Sequence, residues 1–527
     1  MSVADTFELT LALLTVIVGL YWLALTLRLP PSAALLVGSG ALAFVPGLPH
    51  FVADPDLVLV LFLPPLLMDG AFSTSLGRFG RQLPGILSLA IGMVVFTTLA
   101  VGVVTHWLVP SLPWAACFAL GAIVSPPDAV SARAVLQSVT LPRRLTALIE
   151  GESLVNDATG LVLFRFAVAA ALSGVFDAGA VAADFARLFL GGVLVGLAAG
   201  AAWVVVARRM RDETLTLLVS LLLSWLSYLA GERLHVSGVI STVTAGLVMG
   251  WYQHVIFSAA VRLRGIAFNS VLVFVLEAMV FILIGFSLRD VVDRMGGMGA
   301  VASTMAVPLA GVVLAVILAR FVWIFATDGM RALLSRAGMR GARPLGMRQA
   351  AVLGWAGMRG GVTLAIALTL PETMPGRDLM LVAAFAVIFA TVVVQGTSLA
   401  ALIGWVKPQD LEPPAPMSLA EAETALARVR LAVIEQNAYG PNGSLVHAHL
   451  LDQAQMRVAA TEQFVHNHEQ SYPRLVRHFD LLNRSIDAAR AELIRLHRAG
   501  QIEDEVLHNL ERDLDIEQMG LAYQLNG

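Results

Sequence analysis

The chain has 527 residues, 57% of them hydrophobic and only 14% charged, and its mean hydropathy is +0.77. A soluble globular chain carries about 25% charged residues, so a wholly soluble protein is excluded. The net charge of −3 divides unevenly: residues 1–409 carry +5 and residues 410–527 carry −8. This predicts an all-α membrane domain over 1–409 and a helical cytoplasmic regulatory domain over 410–527.

Apolar segments long enough to cross a bilayer, about 17–25 residues each, are predicted at 7–27, 32–46, 57–71, 84–108, 114–137, 144–172, 185–207, 214–231, 235–252, 266–288, 302–326, 348–371 and 379–405. That is thirteen spans, of which the second and third are short. The first lacks a preceding basic region and a following small-residue cleavage site, so it reads as a retained span, not a signal peptide. One set of loops carries 15 arginines (Arg28, Arg78, Arg81, Arg143, Arg144, Arg208, Arg209, Arg211, Arg262, Arg264, Arg331, Arg336, Arg340, Arg343 and Arg348). The alternate set carries 4 (Arg233, Arg289, Arg294 and Arg377). Loop arginines favour the cytoplasm, so the N-terminus is expected outside and the C-terminus inside.

Two spans are expected to be broken. In the fifth, Ser125-Pro-Pro-Asp128 removes two consecutive backbone donors. In the twelfth, Gly354-Trp-Ala-Gly-Met-Arg-Gly-Gly361 places four glycines around a buried arginine. The two breaks lie seven spans apart, and an odd offset means opposite orientation in the membrane. Interrupted helices at matching positions of two inverted six-helix repeats point to a midplane binding site.

After Glu412-Pro-Pro-Ala-Pro416, a stiff linker, helical spacing of Leu419, Ala422, Leu426, Val429 and Val433 predicts a helix. More follow at about 445–469, 472–499 and 501–523. Seven of the eleven histidines fall in this tail (His447, His449, His466, His468, His478, His497 and His508). Solvated helix faces account for them better than a pH sensor does, and His466 and His468, two apart, share no face for a metal.

Ionised groups inside a bilayer are expensive and mark ion paths or proton relays. Lys407 is the only lysine, and arginine effectively cannot deprotonate, so proton carriage falls to carboxylates. On a helix Glu152, Ser153, Asn156 and Asp157 share one face, and Asp128 and Asp157 both sit about halfway through their spans. Two carboxylates, the Ser153 hydroxyl and carbonyls freed by the Pro-Pro break form a hard-oxygen set suited to Na+ at Asp128, Ser153 and Asp157. The same oxygens bind protons. Competition at one site exposed alternately to each side is enough for antiport.

Glu152 either supports this site or is simply satisfied by Asn156 or an arginine. Glu277 and Arg320, lone charges in spans ten and eleven, are expected to pair with each other or with Arg359, because an unpaired buried charge is costly. Asp69 reads equally as a funnel acid or a solvated helix end, and Arg165 receives no role. No cofactor is expected. The single cysteine, Cys117, excludes an intramolecular disulfide and a cysteine metal cage. An intramembrane aspartyl protease would also need two embedded aspartates, but its Gly-x-Gly-Asp motif is missing. A cation channel or a transporter-like sensor remains as the alternative of a different class, and a K+/H+ antiporter as the alternative within the same one.

These residues resemble sodium/proton exchangers of the monovalent cation:proton antiporter superfamily, NhaP-like, in the bacterial branch. Glu-Ser-Leu-Val-Asn-Asp at 152–157 is the most specific match. Ser-Pro-Pro-Asp at 125–128, Leu63-Pro-Pro-Leu-Leu-Met-Asp69, Glu277 with Gly285, Arg320 and Gly357-Met-Arg-Gly-Gly361 appear in matching order over about 1–405. The resemblance implies a 13-helix fold with inverted repeats, crossed discontinuous helices, a homodimer, elevator-like alternating access and a bacterial plasma membrane. It implies that Asp128, Ser153 and Asp157 bind the ion with the carbonyl of Pro127, that Glu152 and Asn156 support the site, and that Arg359 stabilises the crossed breaks. In relatives an Asn-Asp pair goes with electroneutral exchange, here one cation per proton. The partners it implies are a monovalent cation, protons and the lipid bilayer, with no nucleic acid. The chain departs from the animal exchangers at 126–129, where Pro-Pro precedes the aspartate and alanine follows it.

Overall fold

Helices make up almost the whole of a computed structural model, which describes residues 3–27, 29–45, 55–128, 139, 141–174, 178–339, 343–412, 417–439, 442, 444–466 and 468–526. Among the described residues the only strand-like feature is an isolated bridge between Tyr439 and Leu445. The chain divides into two compact units, Met1–Glu412 and Pro413–Gly527.

The first unit begins with α1 (Val3–Leu27), α2 (Pro31–Ala43), α3 (Pro55–Ser73), α4 (Leu76–Leu108) and α5 (Trp114–Val124). It continues with α6 (Arg143–Ser173), α7 (Ala178–Ala207), α8 (Glu213–Arg233), α9 (Gly238–Ile256), α10 (Ala259–Arg294) and α11 (Met298–Arg336). It closes with α12 (Met347–Trp355), α13 (Gly361–Leu368) and α14 (Arg377–Val406). Every predicted span has helix at its position. Among the described residues, seven helices are long and apolar enough to cross a membrane: α4, α6, α8, α10, α11, α14 and, from Ala183, α7. Several outrun their predicted apolar limits; α11 has 39 residues, about 58 Å at 1.5 Å per residue. Arginines ride on such extensions, where a long side chain can reach water while its stem stays apolar.

Local chemistry sets the ends. Side chains of Asp212, Ser237 and Ser258 accept from the backbone N–H groups of Leu215, Ile240 and Val261 at the starts of α8, α9 and α10, which satisfies donors that a helix start leaves unpaired. Gly174 closes α6 at φ 73°, a left-handed conformation that favours glycine. At Gly121 a β-carbon would lie 2.3 Å from the carbonyl oxygen of Thr98, so α4 and α5 touch backbone to backbone. Small residues permit this kind of approach where helices pack without a hydrophobic drive from lipid.

Two long helices carry π-helical turns, Ser88–Met93 in α4 and Thr391–Gln395 in α14. No sequence pattern pointed to them, and both abut the site described below. Within the unit α6 packs on α4 and α5, and α13 packs on α3, α5, α10 and α14. The largest apolar cluster runs through Leu120 and Ile123 of α5, Ile282 of α10 and Ile388 of α14.

The second unit contains α15 (Leu419–Asn437), α16 (Ala448–His466), α17 (His468–Arg498) and α18 (Asp504–Asn526), within a few residues of the predicted segments. Ser418 and Glu421 form a reciprocal capping box at the start of α15. Phe479 and Ile486 of α17 meet Leu521 of α18 in a small core. Positions 129–137 of the fifth span, Arg28, Arg340, the linker residues Pro413–Pro416, and the side chains of His466 and His468 lie outside the described residues.

Candidate functional site

The two sequence breaks meet. Pro126 and Pro127 cannot donate to Ala122 and Ile123, so α5 stops at Val124. The Ser125 hydroxyl donates instead to the Ala122 carbonyl at 3.3 Å. Asp128 turns its backbone N–H away from Val124 and donates to the carbonyl of Met358, 2.7 Å off in the other break. The vacated Val124 carbonyl accepts from Arg359 Nε at 2.7 Å. Arg359 Nη1 holds its own break through the Gly357 carbonyl (2.6 Å), and its backbone N–H reaches Thr391 Oγ1 (3.0 Å) in the π-helical turn of α14. The guanidinium is wholly buried and straps the two non-helical stretches together.

Gly360 caps the start of α13 beside this crossing. A β-carbon there would sit 1.7 Å from Asp128 Oδ2. Only glycine leaves room for that carboxylate, which lies against the N-terminal end of α13, where backbone N–H groups favour negative charge.

α6 presents two neighbouring faces. Glu152 and Asn156 turn into protein. Glu152 closes a bidentate pair with Arg320 of α11, at 2.6 and 2.9 Å, with both side chains only 2% exposed. Arg320 also donates to the Leu353 carbonyl (3.1 Å) and to Met93 Sδ (3.2 Å) in the π-helical turn of α4. Asn156 Nδ2 donates to the Pro127 carbonyl at 2.5 Å, tying α6 to the broken end of α5. Ser153 and Asp157, in contrast, line an open cavity of about 70 Å3 shared with Asp128, Glu150 and Glu277. Among the described residues the walls are otherwise apolar, from α3 (Phe62, Leu63, Leu66, Leu67), α10 (Val280, Phe281) and α13 (Val362, Ala365).

A second cavity of about 150 Å3 lies further along α6, lined by Leu161, Phe164 and Arg165 with Tyr228 of α8, Ile366 of α13 and Thr369. Arg165, left without a role by the sequence, sits here and reaches Glu232 at 3.5 Å. Asp157 borders both cavities.

The structure therefore brings Asp128, Ser153 and Asp157 to one cavity and sets Pro127, Asn156, Glu152 and Arg359 around it. One expectation is corrected. Arg320 takes Glu152 as its ion-pair partner, not Glu277, because α11 faces the buried side of α6 while Glu277 of α10 faces the cavity. Asp69 accepts from Asn269 Nδ2 at 2.5 Å, bridging α3 and α10. Glu150 was missed, although its spacing carried the signal: 150, 153 and 157 fall at i, i+3 and i+7, one helical face. Thr391 was missed too, in a run with no break in its apolar pattern.

Comparison with known proteins gives a consistent neighbourhood. The family model described as sodium/hydrogen exchanger, transmembrane, matches residues 12–405. An uncharacterised Na+/H+ exchanger of Mycobacterium tuberculosis is 30% identical over 94% of this chain and 92% of the relative. A sodium, potassium, lithium and rubidium/H+ antiporter of Bacillus subtilis is 31% identical over 74% of this chain and 60% of that protein. Among solved structures, the sodium proton antiporter MjNhaP1 of Methanocaldococcus jannaschii superposes with a TM-score of 0.61 at 19% identity, covering 77% of this chain and 99% of that one. At that identity the likeness is one of fold.

Proposed function

The chain belongs to the sodium/hydrogen exchanger family, and on that premise we propose that it exchanges a monovalent cation, Na+ first, for H+ across the membrane. The observation that carries this reading is the placement of Asp128, Ser153 and Asp157 on one cavity, with Asp157 also reached from the second. The cation is held by the two carboxylates, the Ser153 hydroxyl and the free lone pair of the Pro127 carbonyl. Protonation of the same carboxylates removes the charge that holds it. Each ligand thus displaces the other, and alternating exposure converts displacement into exchange.

Glu152 is paired with Arg320 and Asn156 is a hydrogen-bond donor, so neither adds a titrating charge to those of Asp128 and Asp157. This supports a ratio of one cation to one proton. Thirteen spans in two inverted six-helix repeats, an outside N-terminus, a cytoplasmic C-terminal domain, a plasma-membrane location and a homodimer complete the proposal. A K+/H+ antiporter is the second reading, favoured by the potassium in the name of the Bacillus subtilis relative.

The test is cation-dependent pH change in proteoliposomes with Na+, Li+ and K+, with the membrane potential free and then clamped. A Na+ response that ignores the potential and is abolished in Asp157→Asn supports the reading. K+ alone keeps the mechanism and changes the substrate, and no proton movement with any cation removes antiport altogether.

A further inference from the structure

Among the described residues, three border both cavities: Leu63 of α3, Asp157 of α6 and Val362 of α13. Leu63 is buried, at 7% exposure, in an apolar cluster with Leu154, Val155 and Ala158 of α6, and Val362 packs on that same cluster. Asp157 is the only ionisable member of the trio. Each cavity exceeds the ~30 Å3 that a water molecule occupies in the liquid, so both can be wet while the wall between them is one side chain thick. We propose that Leu63 and Val362 are the partition that enforces coupling: they interrupt the water path on either side of Asp157, so that a proton or cation passes between the cavities only by way of that carboxylate. The inference rests on the exchange reading for what is coupled, but the wall itself is read from the cavities.

The physical argument is that an apolar constriction empties of water, and an ion entering it loses hydration that nothing replaces. A proton needs a chain of hydrogen-bonded waters, which the isobutyl group of Leu63 and the isopropyl group of Val362 deny it. Location adds to this. Leu63 immediately precedes Pro64-Pro65 inside α3, and Val362 is the second residue of α13, just past the break that ends at Gly360. Both therefore sit where backbone hydrogen bonding is already interrupted, next to the elements that cross at Asp128. Truncating either to alanine opens the wall without touching a carboxylate or its hydrogen bonds.

The experiment measures passive proton leak into proteoliposomes holding the full-length protein, with a pH dye inside, a proton gradient imposed and no transported cation on either side. Leu63→Ala and the half-buried Val362→Ala are compared with the wild type and with Leu161→Ala, which lines the second cavity alone. Leak is expected to rise about tenfold in either partition variant, equivalent to about 1.4 kcal/mol off the barrier, and to stay at the wild-type level in Leu161→Ala. A monodisperse Val362→Ala variant that leaks no more than the wild type, or a Leu161→Ala variant that leaks as much as the partition variants, overturns the proposal. The wild type's response to added Na+ in the same vesicles tests the exchange reading separately, so the two failures are distinguishable.

Discussion

The Glu152–Arg320 pair offers the sharpest energetic test of how the site is supported. Its two hydrogen bonds of 2.6 and 2.9 Å lie where neither side chain is more than 2% exposed. Removing one partner of a buried pair strands the other charge and costs about 3–5 kcal/mol, whereas removing both costs far less. The two single variants should differ. In Arg320→Gln the stranded carboxylate can escape its charge by taking up a proton; in Glu152→Gln the stranded guanidinium cannot. Arg320 also lies against Gly357, two residues from the buried Arg359, so losing Glu152 removes a carboxylate whose charge acts on both guanidiniums. Glu152→Gln is therefore expected at the upper end of the range and to be indifferent to pH. Arg320→Gln is expected at the lower end at mildly acid pH. Because its folded state then takes up a proton that the unfolded state releases, its stability falls as pH rises, by up to about 1.4 kcal/mol per unit. The assay is denaturant unfolding in detergent at pH 6 and pH 8, with the Glu152→Gln/Arg320→Gln double variant closing the cycle. Additive single costs, or a double variant no more stable than its worse parent, would refute the reasoning.

Three further outcomes are expected. Gly360→Ala drives a methyl group into the Asp128 carboxylate; it should cost about 1–3 kcal/mol as overpacking and abolish cation binding, read by cation-induced thermal stabilisation, whereas Gly404→Ala, with open space around it, should do neither. Asn156→Ala leaves the Pro127 carbonyl without its donor and should cost about 1–3 kcal/mol. Asn156→Asp must carry a proton to keep that bond, which adds a titrating group, and its exchange should become sensitive to membrane potential in a clamped vesicle assay. If one proton and one cation compete as proposed, the cation concentration for half-maximal exchange should rise about tenfold per unit fall in pH across the acid limb, by simple mass action; a half-maximal concentration independent of pH would exclude competition at a shared carboxylate.

What the sequence disclosed was whatever is local. The apolar runs marked the helices, the proline pair and the glycine cluster marked the two breaks, and helical spacing put Glu152, Ser153, Asn156 and Asp157 side by side. The separation of those four into a cavity pair and a buried pair was not legible, since it depends on which neighbour covers each edge of α6. The partner of Glu152 lies 168 residues away, and a lone acid in one span paired with a lone arginine in the next was a reasonable guess that packing overruled. The π-helical turns were hidden for a different reason: Ser88–Met93 and Thr391–Gln395 have ordinary apolar composition, and their extra residue serves contacts to Arg320 and Arg359 made only in the assembled fold. Glu150 was legible, one turn before Ser153 on the same helical face, but the face was read only from Glu152 onward.

The central claim is that one proton and one cation exchange through Asp157. Its most direct measurement is the balance point of flux in proteoliposomes, in which a fixed proton gradient is opposed by graded cation gradients at several clamped potentials. Net movement should stop where the outside-to-inside cation ratio equals the proton ratio, at the same point for every potential, and Asp157→Asn should show no cation-dependent proton movement. A balance point that shifts with potential, or protons that follow the cation gradient in Asp157→Asn, would contradict the account.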